Sequence, residues 1–247
     1  MMKLAIIGGS LLKELGALST IAEERINTPF GTPSAHFVTG MIDGVEVIYT
    51  NRHGTAHQIA PHQINYKANI FVLKTLEVTD IIAVTAVGGI SQAMSPMQWV
   101  VPDQIIDYTH GRLQTYNDVN DSQVNHIDFT YPFDEDLRVR LLSALDNQVS
   151  EYQMKATYGV TQGPRLETIA EIRRMQQDGC DIVGMTVMPE AGLARELEMN
   201  YATLSLVVNW AAGKGDGSLI SMDEIREHIK DGNKIAEKII NGVVSSI

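Results

Sequence analysis

The sequence predicts an α/β protein, a single domain over residues 1–247 with a central twisted mixed β-sheet flanked by helices. Three observations lead there. Short β-branched runs alternate with amphipathic stretches along the chain, the order expected when helices cover a sheet. The 247 residues, 44% of them hydrophobic, suffice for one large core. No repeat, low-complexity tract or linker-like shift in composition divides the chain.

The strand-like runs lie at residues 3–8, 45–50, 80–86, 99–106, 155–161, 181–185 and 201–208. Helical periodicity fills 61–77, 134–149, 167–178, 189–198 and 221–247. In the first of these, Ile64, Ala68, Phe71, Val72 and Leu76 recur at helical spacing, and Pro61 suits a first turn. The last opens with Ser221-x-x-Glu224, the spacing of a capping box. Residues 107–132 break the pattern, being polar, without clear period and longer than most connections. They read as a functional loop or as a segment that contacts a partner.

Composition narrows the function classes. Nineteen Lys+Arg against 30 Asp+Glu leave a net charge of −11, with no basic run to displace phosphate counterions, so no nucleic-acid partner is expected. The lone Cys180 excludes an internal disulfide framework or a thiolate zinc cluster and suits a reducing compartment. No apolar run approaches the ~18 residues that span a bilayer. Met1-Met2-Lys3 lead directly into the first strand without the pattern of a signal peptide. A cytoplasmic protein without membrane contact is the expectation.

In open α/β sheets ligands bind beyond the carboxyl ends of strands, where free backbone amides and helix N-termini converge. The segments at those ends are Gly8-Gly9-Ser10, Asn51-Arg52-His53-Gly54, Thr85-Ala86-Val87-Gly88-Gly89, Gly163-Pro164-Arg165-Leu166-Glu167, Met185-Thr186 and Asn209-Trp210. Three of them suit an inorganic anion. Glycine admits close backbone approach, Ser and Thr hydroxyls donate, and Arg52 with His53 supplies charge. Gly8-Gly9-Ser10 lacks the third glycine of a dinucleotide fingerprint, and no P-loop occurs. His53 and His57 stand four apart, but without the glutamate of a zinc-enzyme motif, so no metal is expected. Ser10 is not in a nucleophile elbow.

Taken in order, these segments resemble the trimeric purine nucleoside phosphorylase and methylthioadenosine phosphorylase family along nearly the whole chain. The landmarks are Gly8-Gly9-Ser10, Thr28-Pro29-Phe30-Gly31-x-Pro33-Ser34, Arg52-His53-Gly54-x-x-His57, Asn65-Tyr66-x-Ala68-Asn69-Ile70 and Thr85-Ala86-x-Gly88. His126-Ile127, Pro132-Phe133, Gln162-Gly163-Pro164-Arg165, Gly184-Met185-Thr186 with Pro189-Glu190, and Asn209 follow. The resemblance implies the nucleoside phosphorylase fold and reversible phosphorolysis, with inorganic phosphate as co-substrate and neither organic cofactor nor metal. It implies Ser10, Arg52, His53, Thr85, the Ala86 amide and Thr186 as phosphate ligands, Met185 beneath the ribose and His57 near the phosphate. It also implies a homotrimer in which His126 reaches the 5′ end of a neighbour's substrate.

Base choice is expected from Glu167 and Asn209, the pair that 6-oxopurine phosphorylases carry where the methylthioadenosine enzymes carry serine and aspartate. The chemistry fits: the Asn209 amide donates to O6 and accepts from a protonated N7, and the Glu167 carboxylate accepts from N1–H. Adenine lacks that N1 proton, and a site left with unpaired buried groups rejects a substrate by about 10⁴-fold or more. Met222 stands where enzymes for 5′-hydroxyl substrates place a histidine, and a thioether prefers such apolar, polarisable surroundings. Both ends together imply S-methyl-5′-thioinosine as substrate. A general inosine/guanosine phosphorylase, a methylthioadenosine phosphorylase and an inactive purine-sensing module are the alternatives. Leu166, where the family has a phenylalanine facing the base, replaces aromatic stacking with aliphatic contact.

Overall fold

Every residue of β1 (Leu4–Gly8) is buried because both faces of the sheet are covered. Ala5 and Ile7 pack into one hydrophobic cluster, and Leu4 and Ile6 into another on the opposite face. The computed structural model describes residues 2–117 and 124–247, so part of the irregular 107–132 stretch lies outside the described residues. After β1 come β2 (Ser19–Glu24), β3 (Phe37–Ile42), β4 (Val45–Asn51), a 3₁₀ turn at Pro61–Gln63, α1 (Tyr66–Thr75) and β5 (Asp80–Gly89). Then follow β6 (Trp99–Val100), β7 (Gln104–Asp107), α2 (Glu135–Asp146), β8 (Tyr152–Gln153) and β9 (Thr157–Val160). The chain closes with α3 (Ile169–Gln177), β10 (Ile182–Gly184), α4 (Val187–Glu196), β11 (Asn200–Trp210) and α5 (Met222–Val244).

The described strands form one mixed sheet, ordered β2-β3-β4-β1-β5-β10-β9-β7, with β11 on the other edge of β5 and β6 and β8 beyond it. α1 and α4 pack on one face through Ile70, Leu73, Val187 and Leu193. α2 and α5 cover the other through Leu137, Leu141, Ile239 and Val243. A smaller cluster seats α3, through Ile172 and Met175, against Ile90, Val183 and Ala211.

The predicted α/β architecture with a mixed central sheet is the one observed, with differences in detail. The run at 99–106 is two strands, not one. Pro102 lacks the N–H a continuous ladder needs, and the chain switches partners there, from β11 to β9. The helix expected at 61–77 begins as a 3₁₀ turn and restarts at α1, where the Asn65 side chain accepts from the Ala68 amide. That expected at 167–178 starts two residues later. Thr168 is the cap, completing a capping box with Glu171, so Glu167 stands ahead of the helix instead of in its first turn. Ser221 caps α5 as its spacing suggests, accepting from the Glu224 amide at 3.3 Å.

The topology leaves one opening. β1 pairs in parallel with the first part of β5, its last match being Ile7 with Ala83. β10 takes over the same edge in antiparallel sense at Gly88 and Gly89. Between them, residues 84–87 have no strand partner on that edge, while β11 pairs the other edge throughout. This change of partner is the switch point at which a crevice is expected.

Candidate active site

A cavity of ≈ 190 Å³ opens at this gap. It brings together Ser10 after β1, Arg52 and His53 after β4, Thr85 and Ala86 on β5, and Met185 and Thr186 between β10 and α4. Leu166, Glu167, Asn209 and Met222 line the same space. Eleven of the thirteen residues predicted for the site thus meet there. His57 stands behind this lining, its Nε2 3.2 Å from Ser10 Oγ and its ring centroid 4.5 Å from that of His53. His126 is exposed and does not line the cavity of its own chain.

The anion end is built on Arg52, which is 1% exposed. Its Nε and Nη2 donate to the two oxygens of Glu190, each at 3.0 Å. Nη2 also donates to the Ile7 carbonyl at 3.2 Å, and Nη1 to the Val84 carbonyl at 3.0 Å. A guanidinium carries five N–H donors, so one on Nη1 is left for a ligand. Gly9 lies so close above that a Cβ there would sit 2.6 Å from Nη1, which is why that position is glycine. Because the Val84 carbonyl faces this edge, period-two alternation turns the Ala86 amide the same way, into the gap. Thr186 precedes α4 without its side chain capping the helix, which leaves the hydroxyl free to donate.

Charge here differs from the sequence expectation. Burial pushes the His53 pKa down to about 4, with Arg52 and His57 adding to the shift against the hydrogen bond to Ile59. His53 Nδ1 lies 2.8 Å from the Ile59 carbonyl, which can only accept, so the proton sits on Nδ1 and Nε2 is a bare acceptor. His53 therefore supplies no positive charge near neutrality. Burial likewise lowers the pKa of His57. For Arg52, burial opposes the charge, but the Glu190 carboxylate outweighs it and holds the pKa above the usual arginine range.

The opposite end is set by a bulge. β11 and β5 run in register to Val207 opposite Val87, then skip Val208 so that Asn209 faces Gly88. An extra residue re-aims the side chains after it. His228 on α5 donates from Nδ1 to the Val208 carbonyl at 2.7 Å, satisfying the bulge. Asn209 Nδ2 donates to the Trp210 carbonyl at 2.7 Å. A carbonyl cannot donate, so this contact orients the amide, leaving Oδ1 and the second N–H uncommitted. Thr161 Oγ1 donates to Glu167 Oε1 at 2.7 Å, which leaves Oε2 open. Glu167 also borders a second, polar cavity of ≈ 660 Å³ beside Tyr108, Arg165 and Arg174. Met222, Ile225 and Ile229 form an apolar wall on one face of α5.

The sequence reading assigned no role to Glu190, Tyr201, Thr161 or His228. Only Glu190 left a signal, an acid inside the apolar stretch 187–194 that needs a buried partner. Among the described residues no group of three His, Cys, Asp or Glu could hold a metal ion, and no helix is long and apolar enough to cross a membrane.

The cavity at the switch point joins basic, hydroxyl, carboxylate and amide side chains, and residues 3–245 match the Phosphorylase superfamily, to which this chain belongs. The probable S-methyl-5′-thioinosine phosphorylase of Pseudomonas syringae pv. tomato is 50% identical, with 92% of each chain covered. The 6-oxopurine nucleoside phosphorylase of Pyrococcus furiosus is 41% identical over 100% of this chain and 92% of its own. Among solved structures, methylthioadenosine phosphorylase from Schistosoma mansoni in complex with adenine superposes with a TM-score of 0.94 at 29% identity, covering 100% of this chain and 92% of that one.

Proposed function

We propose that the chain, working as one domain over residues 1–247, catalyses phosphorolysis of S-methyl-5′-thioinosine to hypoxanthine and S-methyl-5-thioribose 1-phosphate. The observation that carries this reading is that Glu167 and Asn209 line the same cavity as Ser10, Arg52, Thr85 and Thr186. Relatives named for the same substrate support it.

Phosphate sits at the anion end, held by the free Arg52 N–H, the Ser10 and Thr186 hydroxyls and the Ala86 amide, with Thr85 beside it. His53 Nε2 accepts from a protonated phosphate oxygen. Met185 packs beneath the ribose. One phosphate oxygen bonds to C1′ as the C1′–N9 bond breaks, and the electron pair of that bond passes into the purine. Positive charge on the sugar is greatest midway, where the adjacent phosphate stabilises it most. Asn209 donates to O6, Glu167 Oε2 accepts from N1–H, and Asn209 Oδ1 accepts from N7–H once N7 has taken a proton from solvent. The hydrogen bond donated to O6 strengthens as negative charge gathers on the base, so it lowers the barrier and does not merely tighten binding. The methylthio group lies against Met222, Ile225 and Ile229, where no hydrogen bond is required of it. Leu166 packs on the base in place of an aromatic ring.

The reading includes a homotrimer in which a neighbour's His126 closes the 5′ end, phosphate as the only co-substrate, no metal, and a cytoplasmic setting. The relatives named 6-oxopurine nucleoside phosphorylase favour inosine and guanosine as the second reading. Incubation with inosine, methylthioinosine and methylthioadenosine, each with and without phosphate, separates the possibilities. Hypoxanthine released chiefly from methylthioinosine, and only with phosphate, is expected. Equal turnover of inosine would favour the second reading, and turnover mainly of methylthioadenosine would refute the base assignment.

A further inference from the structure

Beneath the anion end lies a carboxylate that the reaction itself does not touch. Glu190 is 0% exposed, and its two oxygens take both Arg52 Nε and Nη2. Tyr201 Oη adds a third hydrogen bond, to Oε1 at 2.9 Å, from the neighbouring strand β11. The arginine follows β4, the glutamate sits on α4 and the tyrosine on β11, so three separate elements meet at one guanidinium. We infer that Glu190, backed by Tyr201, is a positioning residue for the phosphate nucleophile, fixing Arg52 so that a single Nη1 N–H faces the anion. This inference rests on the phosphorolysis reading.

Two arguments favour positioning over a purely structural clamp. A buried ion pair is weak evidence for stability, because well-packed apolar side chains of similar volume often do as well or better. What apolar side chains cannot do is hold a guanidinium at one rotation. With Nε and Nη2 tied to the carboxylate and Nη1 half tied to Val84, the plane of the group cannot turn. The second argument is charge. Glu190 offsets the Arg52 charge and His53 is neutral near pH 7, so the anion is held by aimed donors rather than by net positive charge. Aim then matters more than usual, and a few tenths of an ångström at Arg52 pass directly to the attacking oxygen.

The test separates phosphate from nucleoside. Tyr201→Phe keeps the ring and its packing but removes the bond to Oε1. It should raise the phosphate KM about tenfold, the lower end of what one hydrogen bond to a charged group contributes, and leave the nucleoside KM within about twofold. Glu190→Gln, which turns one acceptor into a donor facing Arg52, should widen the same split. If Glu190→Gln does not fold, Tyr201→Phe and the wild-type chain still decide the matter. In ¹H–¹⁵N spectra of the wild type, inorganic phosphate should shift the Arg52 Nη1 signal and leave Nε nearly unmoved. A folded Tyr201→Phe variant whose two KM values stay put or rise together overturns the inference, as does an Nε shift equal to that of Nη1. A wild-type chain that releases base without phosphate overturns the functional reading and this inference with it. Phosphate dependence without the KM split overturns the inference alone.

Discussion

The two ends of the cavity are built differently. At one end Arg52 and His53 after β4, Thr85 inside β5 and Thr186 just before α4 are all buried, and the first three are tied into the core by hydrogen bonds. At the other end, where the proposal seats the purine and the 5′ group, Leu166 is 40% exposed and Met222 51%, on a loop and at the first residue of α5. The contrast teaches where a phosphorolytic enzyme can vary. On the proposed function, phosphate binding is welded to the fold, since Arg52 also joins β1 and β5 through the Ile7 and Val84 carbonyls. The same proposal leaves the choice of base and 5′ group in part to exposed side chains that can be exchanged without disturbing the core.

The sharpest way to break this comparison is Arg52→Ala. Removing one partner of a buried pair leaves Glu190 charged and unpaired, a loss of about 3–5 kcal/mol of stability. On the proposed function it also removes a donor at the reacting anion, worth about 10²–10³ in kcat. Urea unfolding and phosphate-saturation kinetics should therefore fail together, and a stable but inactive variant would show that the anion end is separable from the fold after all. Asn209→Asp probes the other end. Its carboxylate would face the Trp210 carbonyl that now accepts from Nδ2, so it must turn or bind a proton. The ratio of kcat/KM for 6-oxo over 6-amino substrates should fall about 100-fold or more, with little change in stability. An unchanged ratio would remove Asn209 as the base reader.

How much of this was legible follows from which properties are local. Gly8-Gly9-Ser10, Arg52 and Thr186 could be read because each ends or follows a recognisable strand, where such sheets bind ligands, whereas Thr85 lies inside β5, beside the gap between β1 and β10. Glu190 could not be paired with Arg52, since the two are 138 residues apart and no local pattern joins them. The Val208 bulge that aims Asn209 is a property of two strands in register, invisible in either alone. β2 escaped notice because nearly every residue in it is exposed, so it shows no alternation. His53 was read as a source of charge because its burial could not be known; the same imidazole in water would titrate near 6.5.

That burial gives a pH signature confined to the anion end. His53 titrates near 6.5 when unfolded and at about 4 when folded. Between those values the unfolded chain binds more protons, so stability rises with pH through the window and is lost on acidification from 6.5 toward 4. The full effect of this one group is about 3 kcal/mol. Denaturation midpoints across pH 4–7 should show the slope in the wild type and a shallower one in His53→Gln. An equal slope in both would mean that His53 is not the group that resists protonation.

The smallest expected effect tests the exposed end. Met222→His places an imidazole on the α5 face that also carries Ile225 and Ile229, at a position half open to solvent. An exposed substitution of this kind should alter stability by no more than about 0.5 kcal/mol. Its effect on selectivity is the informative part. A histidine can donate to a 5′-hydroxyl and has no use for a thioether, so the preference for methylthioinosine over inosine should drop about tenfold, the usual worth of one contact in a partly apolar pocket. Measured as kcat/KM for the two nucleosides at fixed phosphate, with the phosphate KM unchanged, that shift would show 5′ choice moving while the anion end stands still. A phosphate KM that moves with it would mean the two ends are coupled through α5, and the division between a welded end and an exchangeable one would not hold.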